Sequence, residues 1–321
     1  MKIVVTGALG HIGSALIREL PLQLPDAEIV MVDDLSAQRY CSLFHLPTIG
    51  NYRFVEADIF DCDLKSIIDG AEAVIHLAAI TNAAGSFENK DLVEKINFDG
   101  TVRIAVLCEM LGVPLIFPSS TSVYGSQESE VDESCSLDDL KPQSPYADSK
   151  LKSELYLADR SQMGLRHVTL RLGTIFGTSP GMRFHTAVNK FCFQAVLGQP
   201  VTVWQTALHQ MRPYLALEDA IGAILHILRL NRYEGEILNV VTLNATVDDI
   251  LNSIRTEVGD LAVEFVDSPI MNQLSYHVLS ERIAALGFEA RGDLQRGISE
   301  TIGWLRQCNV AGRERVPLGS K

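Results

Sequence analysis

The 321-residue sequence is notable first for what it lacks. Its six cysteines, at 41, 62, 108, 135, 192 and 308, contain no CxxC pair, so they read as reduced thiols and not as a disulfide frame or a zinc site. The eight histidines add no ligand spacing, and no metal is expected. No apolar run approaches the roughly 18 residues that span a bilayer. The apolar stretch after Lys2 is too short for a signal peptide, so the expectation is a cytoplasmic chain with no membrane partner. Basic residues are outnumbered, 27 Lys and Arg against 40 Asp and Glu, giving a net charge of −13. They are also scattered, which disfavours nucleic acid as a partner. No repeat of about 20–50 residues is visible. What remains is an ordinary globular composition, 47% hydrophobic and 21% charged, long enough for two domains or one large α/β domain with an appendage.

The first half alternates short β-branched runs with helical patterns. Strands are predicted at Lys2–Thr6, Glu28–Val32, Tyr52–Ala57, Ala73–His76, Val113–Phe117 and His167–Leu172, with helices near 7–20, 92–111 and 146–163. Strands spaced by helices imply βαβ units and a doubly wound parallel sheet of about seven strands. Near-continuous apolar runs such as AVIHLAA suit a sheet covered on both faces. Residues 126–144, rich in Ser, Glu, Asp and Pro, read as a surface loop. Beyond residue 174 the rhythm loosens into helices near 184–198, 218–231, 246–258 and 293–307 and strands at Val201–Trp204 and Ile237–Val241. The division expected is a Rossmann domain over 1–173 and a smaller mixed region over 174–312. A strand near 237–241 is a candidate to return to the main sheet, and 313–321 forms a polar tail. The apolar helices at 92–111 and 218–231 are candidates either for a dimer seam or for covering the sheet.

Three motifs carry chemistry. Gly7, Gly10 and Gly13 follow the first strand in a G-x-x-G-x-x-G turn, with His11 and Ile12 opening the helix. Bare backbone can approach a pyrophosphate there, and a helix N-terminus offers free N–H groups. Asp33 ends the second strand, where an acid accepts ribose hydroxyls and repels a 2′-phosphate, so NAD is favoured over NADP. Tyr146 and Lys150 stand at i and i+4 on one helix face. A tyrosine is a poor base unless a nearby cation favours its phenolate, and Lys150 is the expected cation. Ser119-Ser120-Thr121-Ser122 places hydroxyls at a carboxyl strand end, the edge where open α/β sheets bind ligands. One of them can share a proton with Tyr146.

In this combination the chain resembles the extended short-chain dehydrogenase/reductases, specifically the sugar-nucleotide epimerase/dehydratase branch, over nearly its whole length to about residue 307. The resemblance implies NAD as cofactor, a nucleoside-diphosphate sugar as substrate and a homodimer. It implies Ser120, Tyr146 and Lys150 as catalytic residues. It adds Asp58 and Ile59 as adenine contacts, and His76, Leu77, Ala78, Ala79 and Asn97 along the cofactor. On the substrate side it implies Thr81, Ser120, Thr121, Thr174, Arg183, Asn189 and Arg212, the last as the diphosphate ligand. His185 and His209 are expected to flank that cleft.

The departures narrow the reaction. Where dehydratases of the family carry Asp-Glu, this chain has Thr121-Ser122, and Ser122 also replaces the Glu of decarboxylating members. Thr174 stands for a usual Asn, and Gln205–Gln210 replaces a Gly-rich turn before Arg212. Later nucleotide-ribose contacts find no match within Val266–Leu279. The stretch around RLGTIFG, with Asn189 six residues after Arg183, resembles a subgroup containing both C4 dehydrogenases and epimerases. The expectation is NAD-dependent C4 epimerisation through a 4-keto sugar. The alternatives are a C4 dehydrogenase or reductase that releases the keto-sugar, and a non-catalytic NAD-sensing module.

Overall fold

The structure is a computed structural model that describes residues 1–125, 130–266 and 275–307. Its amino-terminal part runs β1 (Lys2–Thr6), α1 (His11–Gln23), β2 (Glu28–Asp33), β3 (Asn51–Glu56), α2 (Leu64–Ile68), β4 (Ala73–His76), α3 (Lys90–Val93), α4 (Gly100–Leu111) and β5 (Leu115–Ser120). There follow β6 (Glu130–Val131), α5 (Pro145–Ser161), β7 (His167–Leu172), β8 (Thr174–Phe176), α6 (Ala187–Val196), β9 (Val201–Trp204), β10 (Arg212–Ala216) and α7 (Leu217–Leu230). The chain continues through β11 (Glu234–Val240), β12 (Leu243–Ala245), α8 (Val247–Val258), β13 (Val263–Val266), β14 (His277–Val278), α9 (Glu281–Ala285) and α10 (Leu294–Arg306). The predicted tail at 313–321, Cys308 and the first part of the acidic loop lie outside the described residues.

Seven strands pair in the order β11-β7-β5-β4-β1-β2-β3, all parallel. This is the doubly wound sheet that the strand–helix alternation predicts. Burying both faces explains the apolar runs: every residue of β4 and β7 is buried. Leu16, Ile17 and Leu20 of α1 pack one face with Ile221, Ile224 and Ile227 of α7, and Ile104 and Cys108 of α4 pack the other with Leu157 of α5. Helix α7 therefore covers the sheet, the second of the two uses expected for it.

The smaller region is held by its own core, in which Phe176, Tyr214, Ile250, Ile254, Ile298 and Ile302 meet. Its three-stranded sheet has the order β12-β10-β8. The sequence gives little sign of β10, because Pro213 cannot donate a ladder hydrogen bond. The strand forms nonetheless, with Pro213 opposite Asn244 and Tyr214 beside Thr174. Residues 130–131, expected in a loop, pair in parallel with β14. The helix expected over 92–111 is interrupted by a π-helical turn at Glu94–Asp99, a feature often found at functional sites.

Candidate active site

The glycine-rich turn joins β1 to α1 at the carboxyl edge of the sheet. Gly7 has φ +64°, and a Cβ there would lie 2.5 Å from Ala78 N. A Cβ at Gly13 would lie 2.6 Å from the carbonyl oxygens of Gly7 and Ala8. Gly10 caps α1, which has neither a side-chain cap nor an acidic residue in its first turn, so its N-terminal N–H groups and partial positive charge are left for an anion. These features fit a dinucleotide's diphosphate. Asp33 accepts hydrogen bonds from Leu9 N and Leu35 N, each 3.0 Å. Burial raises its pKa and those two bonds oppose the shift.

Around this turn the other expected cofactor residues fall into two groups. Leu77, Ala78 and Ala79 are half-buried where the chain leaves β4, hard against Gly7. Asp58 turns its carboxylate to Phe60 N at 2.9 Å, and Ile59 is buried. By contrast, Ile12 packs against the core. Asn97 is fully buried, accepting from Ile80 N at 2.8 Å and donating to Ile80 O and to Ser149 Oγ, each 3.0 Å. The π-helical turn thus carries a residue that pins the 77–80 backbone to α5. His11 Nε2 bonds Gly177 O at 3.1 Å, linking the turn to the segment after β8.

The reactive hydroxyls come from β5 and α5. Helix α5 is started by Ser144, which accepts from Ala147 N, with Pro145 in its first turn. It buries a polar face, Ser149, Lys150, Ser153 and Glu154, against the strand ends. The Tyr146 phenol faces Ser120. Ser120 Oγ also accepts from Ser122 Oγ at 2.9 Å and from Ser122 N at 3.2 Å. Lys150 Nζ donates to Pro118 O at 2.8 Å and lies 4.6 Å from the centre of the Phe117 ring. Burial brings its pKa down to about 8.

Burial raises the Tyr146 pKa, and Ser120 and the charge of Arg183 oppose that shift. The Lys150 ammonium points to the β5 backbone. Beneath it, Glu154 holds a buried pair with Arg171, whose Nη2 lies 2.6 Å from Glu154 Oε2, and it accepts from the Ser119 hydroxyl.

On the opposite side Arg183 meets Thr81 through a hydrogen bond to its hydroxyl, while its Nε is buried without a partner. Burial and the charge of Arg39 lower its pKa to about 10. Thr81, Arg183, Tyr146 and Ser120 therefore converge, as the motifs suggest. Thr174 lies half-buried in β8 next to Tyr214, and Thr121 is buried with its hydroxyl on Leu172 O at 3.3 Å. Asn189 is wholly buried and spends its carboxamide on Gly177, accepting from N at 3.2 Å and donating to O at 3.1 Å, so it shapes the segment before Arg183 from behind. Arg212 heads β10 and donates to Gln210 Oε1 at 2.9 Å. His185 and His209 are exposed. Among the described residues no cluster of His, Cys, Asp or Glu could hold a metal ion, and no helix is long and apolar enough to cross a membrane.

Residues 3–240 match the NAD dependent epimerase/dehydratase family. The chain belongs to that family. A trifunctional UDP-glucose 4,6-dehydratase/UDP-4-keto-6-deoxy-D-glucose 3,5-epimerase/UDP-4-keto-L-rhamnose-reductase of Arabidopsis thaliana is 29% identical over 95% of this chain and 47% of that protein. The chain spans about half the length of the first curated relatives it matches. The dTDP-D-glucose 4,6-dehydratase of Bos taurus is 28% identical over 95% of this chain and 89% of its own. Among solved structures, the UDP-glucuronic acid 4-epimerase of Bacillus cereus, in complex with UDP-glucuronic acid and NAD, superposes with a TM-score of 0.85 at 25% identity, covering 96% of this chain and 99% of that one.

The histidines near the sheet give a prediction for the folded chain. Burial lowers the pKa of His11 to about 4, of His76 to about 3 and of His167 to about 4. In the unfolded chain each would titrate near ~6.5. Between these values the unfolded state binds more protons, so stability falls as pH is lowered from about 6.5 to about 4. Urea midpoints measured across that window should fall steadily; a flat profile would contradict the burial of these rings.

Proposed function

We propose that this enzyme epimerises a nucleoside-diphosphate sugar at C4, with NAD as a hydride store that is recycled in each turnover. The observation that carries the reading is the approach of the Tyr146 phenol to Ser120 at the strand end, set beside a glycine turn that admits a diphosphate. Bound here, NAD would supply the hydride-accepting and hydride-donating chemistry at the sugar carbon. Tyr146 takes the C4 hydroxyl proton as the hydride leaves, and returns it when the hydride comes back to the other face. Ser120 steadies the developing oxyanion and orients the phenol. Arg183, held on Thr81, supplies positive charge that favours the phenolate. Lys150 holds the cofactor's ribose from α5. Asp33, tied to the turn by Leu9 N, receives the adenosine ribose hydroxyls and disfavours a 2′-phosphate.

Dehydration is another reaction named among the relatives. It needs an acid for the departing hydroxyl and a base for the neighbouring proton, and carboxyl groups suit both. Thr121 and Ser122 are hydroxyls, and the Thr121 hydroxyl is already bonded to Leu172 O. The carboxylate bonded to this strand end, Glu154, is locked by Arg171. These observations support epimerisation over dehydration. A dehydrogenase releasing the keto-sugar would use the same three residues, and single-turnover absorbance separates the two. NAD-loaded protein mixed with UDP-hexoses should show a reduced-nicotinamide signal that rises and then decays. A signal that persists and accumulates with product would assign the chain to the dehydrogenases.

A further inference from the structure

The residue opposite the catalytic strand end comes from a part of the sequence without a recognisable motif. Tyr276 is 6% exposed and lies just ahead of β14. Its hydroxyl donates to Thr121 O at 3.3 Å. The charge of the Arg212 side chain beside it opposes the burial that raises the phenol's pKa. The Arg212 guanidinium also lies 5.4 Å from the centre of the Tyr276 ring. The ring packs edge-on against Tyr124 at 6.5 Å between centroids.

The backbone around Tyr276 is fixed from several directions. Tyr276 N donates to Met211 O at 3.3 Å, one residue before Arg212, and Met211 N donates to Ser275 Oγ at 2.9 Å. Val278 exchanges both its backbone hydrogen bonds with the Asn244 carboxamide, at 2.9 and 3.1 Å. A side chain on so rigid a mount, with its ring against Arg212 of β10 and its hydroxyl bonded to the Ser120–Ser122 segment, has little freedom to do anything but hold them together.

We propose that Tyr276 is a positioning residue that locks Arg212 to the strand end carrying Ser120, so that the diphosphate-binding arginine and the proton-transfer hydroxyls keep a fixed spacing. This rests on the reading of Arg212 as the diphosphate ligand. The fixed spacing matters because the sugar's C4 must arrive at Tyr146 when its diphosphate is on Arg212. Misplacement of either anchor then costs productive orientation.

The test is a double-mutant cycle in the full chain loaded with NAD. The variants are Tyr276→Phe, which keeps the ring beside Arg212 and removes the hydrogen bond to the strand end, Arg212→Ala, and the pair together. Titrations with UDP, and separately with dTDP, are followed by calorimetry. Arg212→Ala should weaken nucleotide binding about ten- to a hundredfold, as loss of a charged hydrogen bond predicts, and Tyr276→Phe about three- to tenfold. The pair should be no weaker than Arg212→Ala alone, because Tyr276 acts through Arg212. NAD content should be the same in all four proteins. If the two penalties multiply, or if Tyr276→Phe binds like the parent while Arg212→Ala does not, the positioning role is overturned and the site stands. If Arg212→Ala binds both nucleotides like the parent, the diphosphate site is misplaced and the proposal falls with it.

Discussion

Tyr146→Phe should lower turnover by roughly a hundred- to ten-thousandfold, the range a positioned general acid–base group contributes, and leave NAD affinity nearly unchanged. The ring of Tyr146 is half-buried at the start of α5 and would pack as before, since Phe removes one oxygen and no carbon. What is lost is the hydroxyl that faces Ser120. Ser120 cannot take over as base, because its hydroxyl titrates far above neutral pH and is already an acceptor for Ser122 N and Oγ. His76 cannot either, since burial holds its ring neutral with a pKa of about 3, and its Nδ1 is 2.7 Å from Thr6 Oγ1. Turnover by the Phe variant above about a tenth of the parent's would show that a base other than Tyr146 operates. Pre-steady-state traces on the same variant should lose the reduced-nicotinamide signal, which places the defect in hydride transfer rather than in product release.

Glu154→Gln should destabilise the fold by about 3–5 kcal/mol, the cost of leaving one member of a buried ion pair uncompensated. Side chains of Arg171 and Glu154 are 3% and 1% exposed. Arg171 Nε reaches both Glu154 oxygens at 3.1 Å and also lies over the Tyr124 ring at 4.8 Å, so it has no route to water. The pair sits between α5 and β7, directly beneath Ser119, and so supports the strand end that carries Ser120. Urea unfolding provides the measurement. Replacing both residues by apolar ones of similar volume, Glu154→Leu with Arg171→Met, should recover most of the loss, because no buried charge then remains. If Glu154→Gln unfolds at the parent's midpoint, the pair is not the support described here.

The legible parts of the molecule were those written in local pattern. β1, β4 and β7 have the predicted bounds, because each is a short run dominated by apolar and β-branched residues, although β7 also buries His167, Thr169 and Arg171. The glycine turn was legible because Gly7 has a positive φ and no room for a Cβ. Tyr146 and Lys150 were legible from their i, i+4 spacing together with the hydroxyl-rich strand end that precedes them. What was not legible depends on partners distant in sequence. Asn97 and Asn189 read as ligand contacts, yet each spends its carboxamide on a neighbouring backbone, at Ile80 and Gly177. Nothing in a single sequence shows where an amide side chain finds its partner. Arg183, 37 positions from Tyr146, also sets its charge against the phenol, a pairing that no local spacing announces. β10 was hidden by its proline, and Tyr276 by lying outside any motif. A tyrosine next to a two-residue strand carries no signal until the fold brings Thr121 to its hydroxyl and Arg212 to its ring.

The central claim is that one hydride leaves the sugar and returns to it. It is tested most directly by incubating the NAD-loaded protein with UDP-, GDP-, CDP- and dTDP-hexoses and determining product mass and C4 configuration together. The account predicts, for one of these sugars, a product of unchanged mass with inverted C4 and no net reduction of NAD. A product lighter by one water, or one lighter by two hydrogens with NADH formed in equal amount, would contradict it.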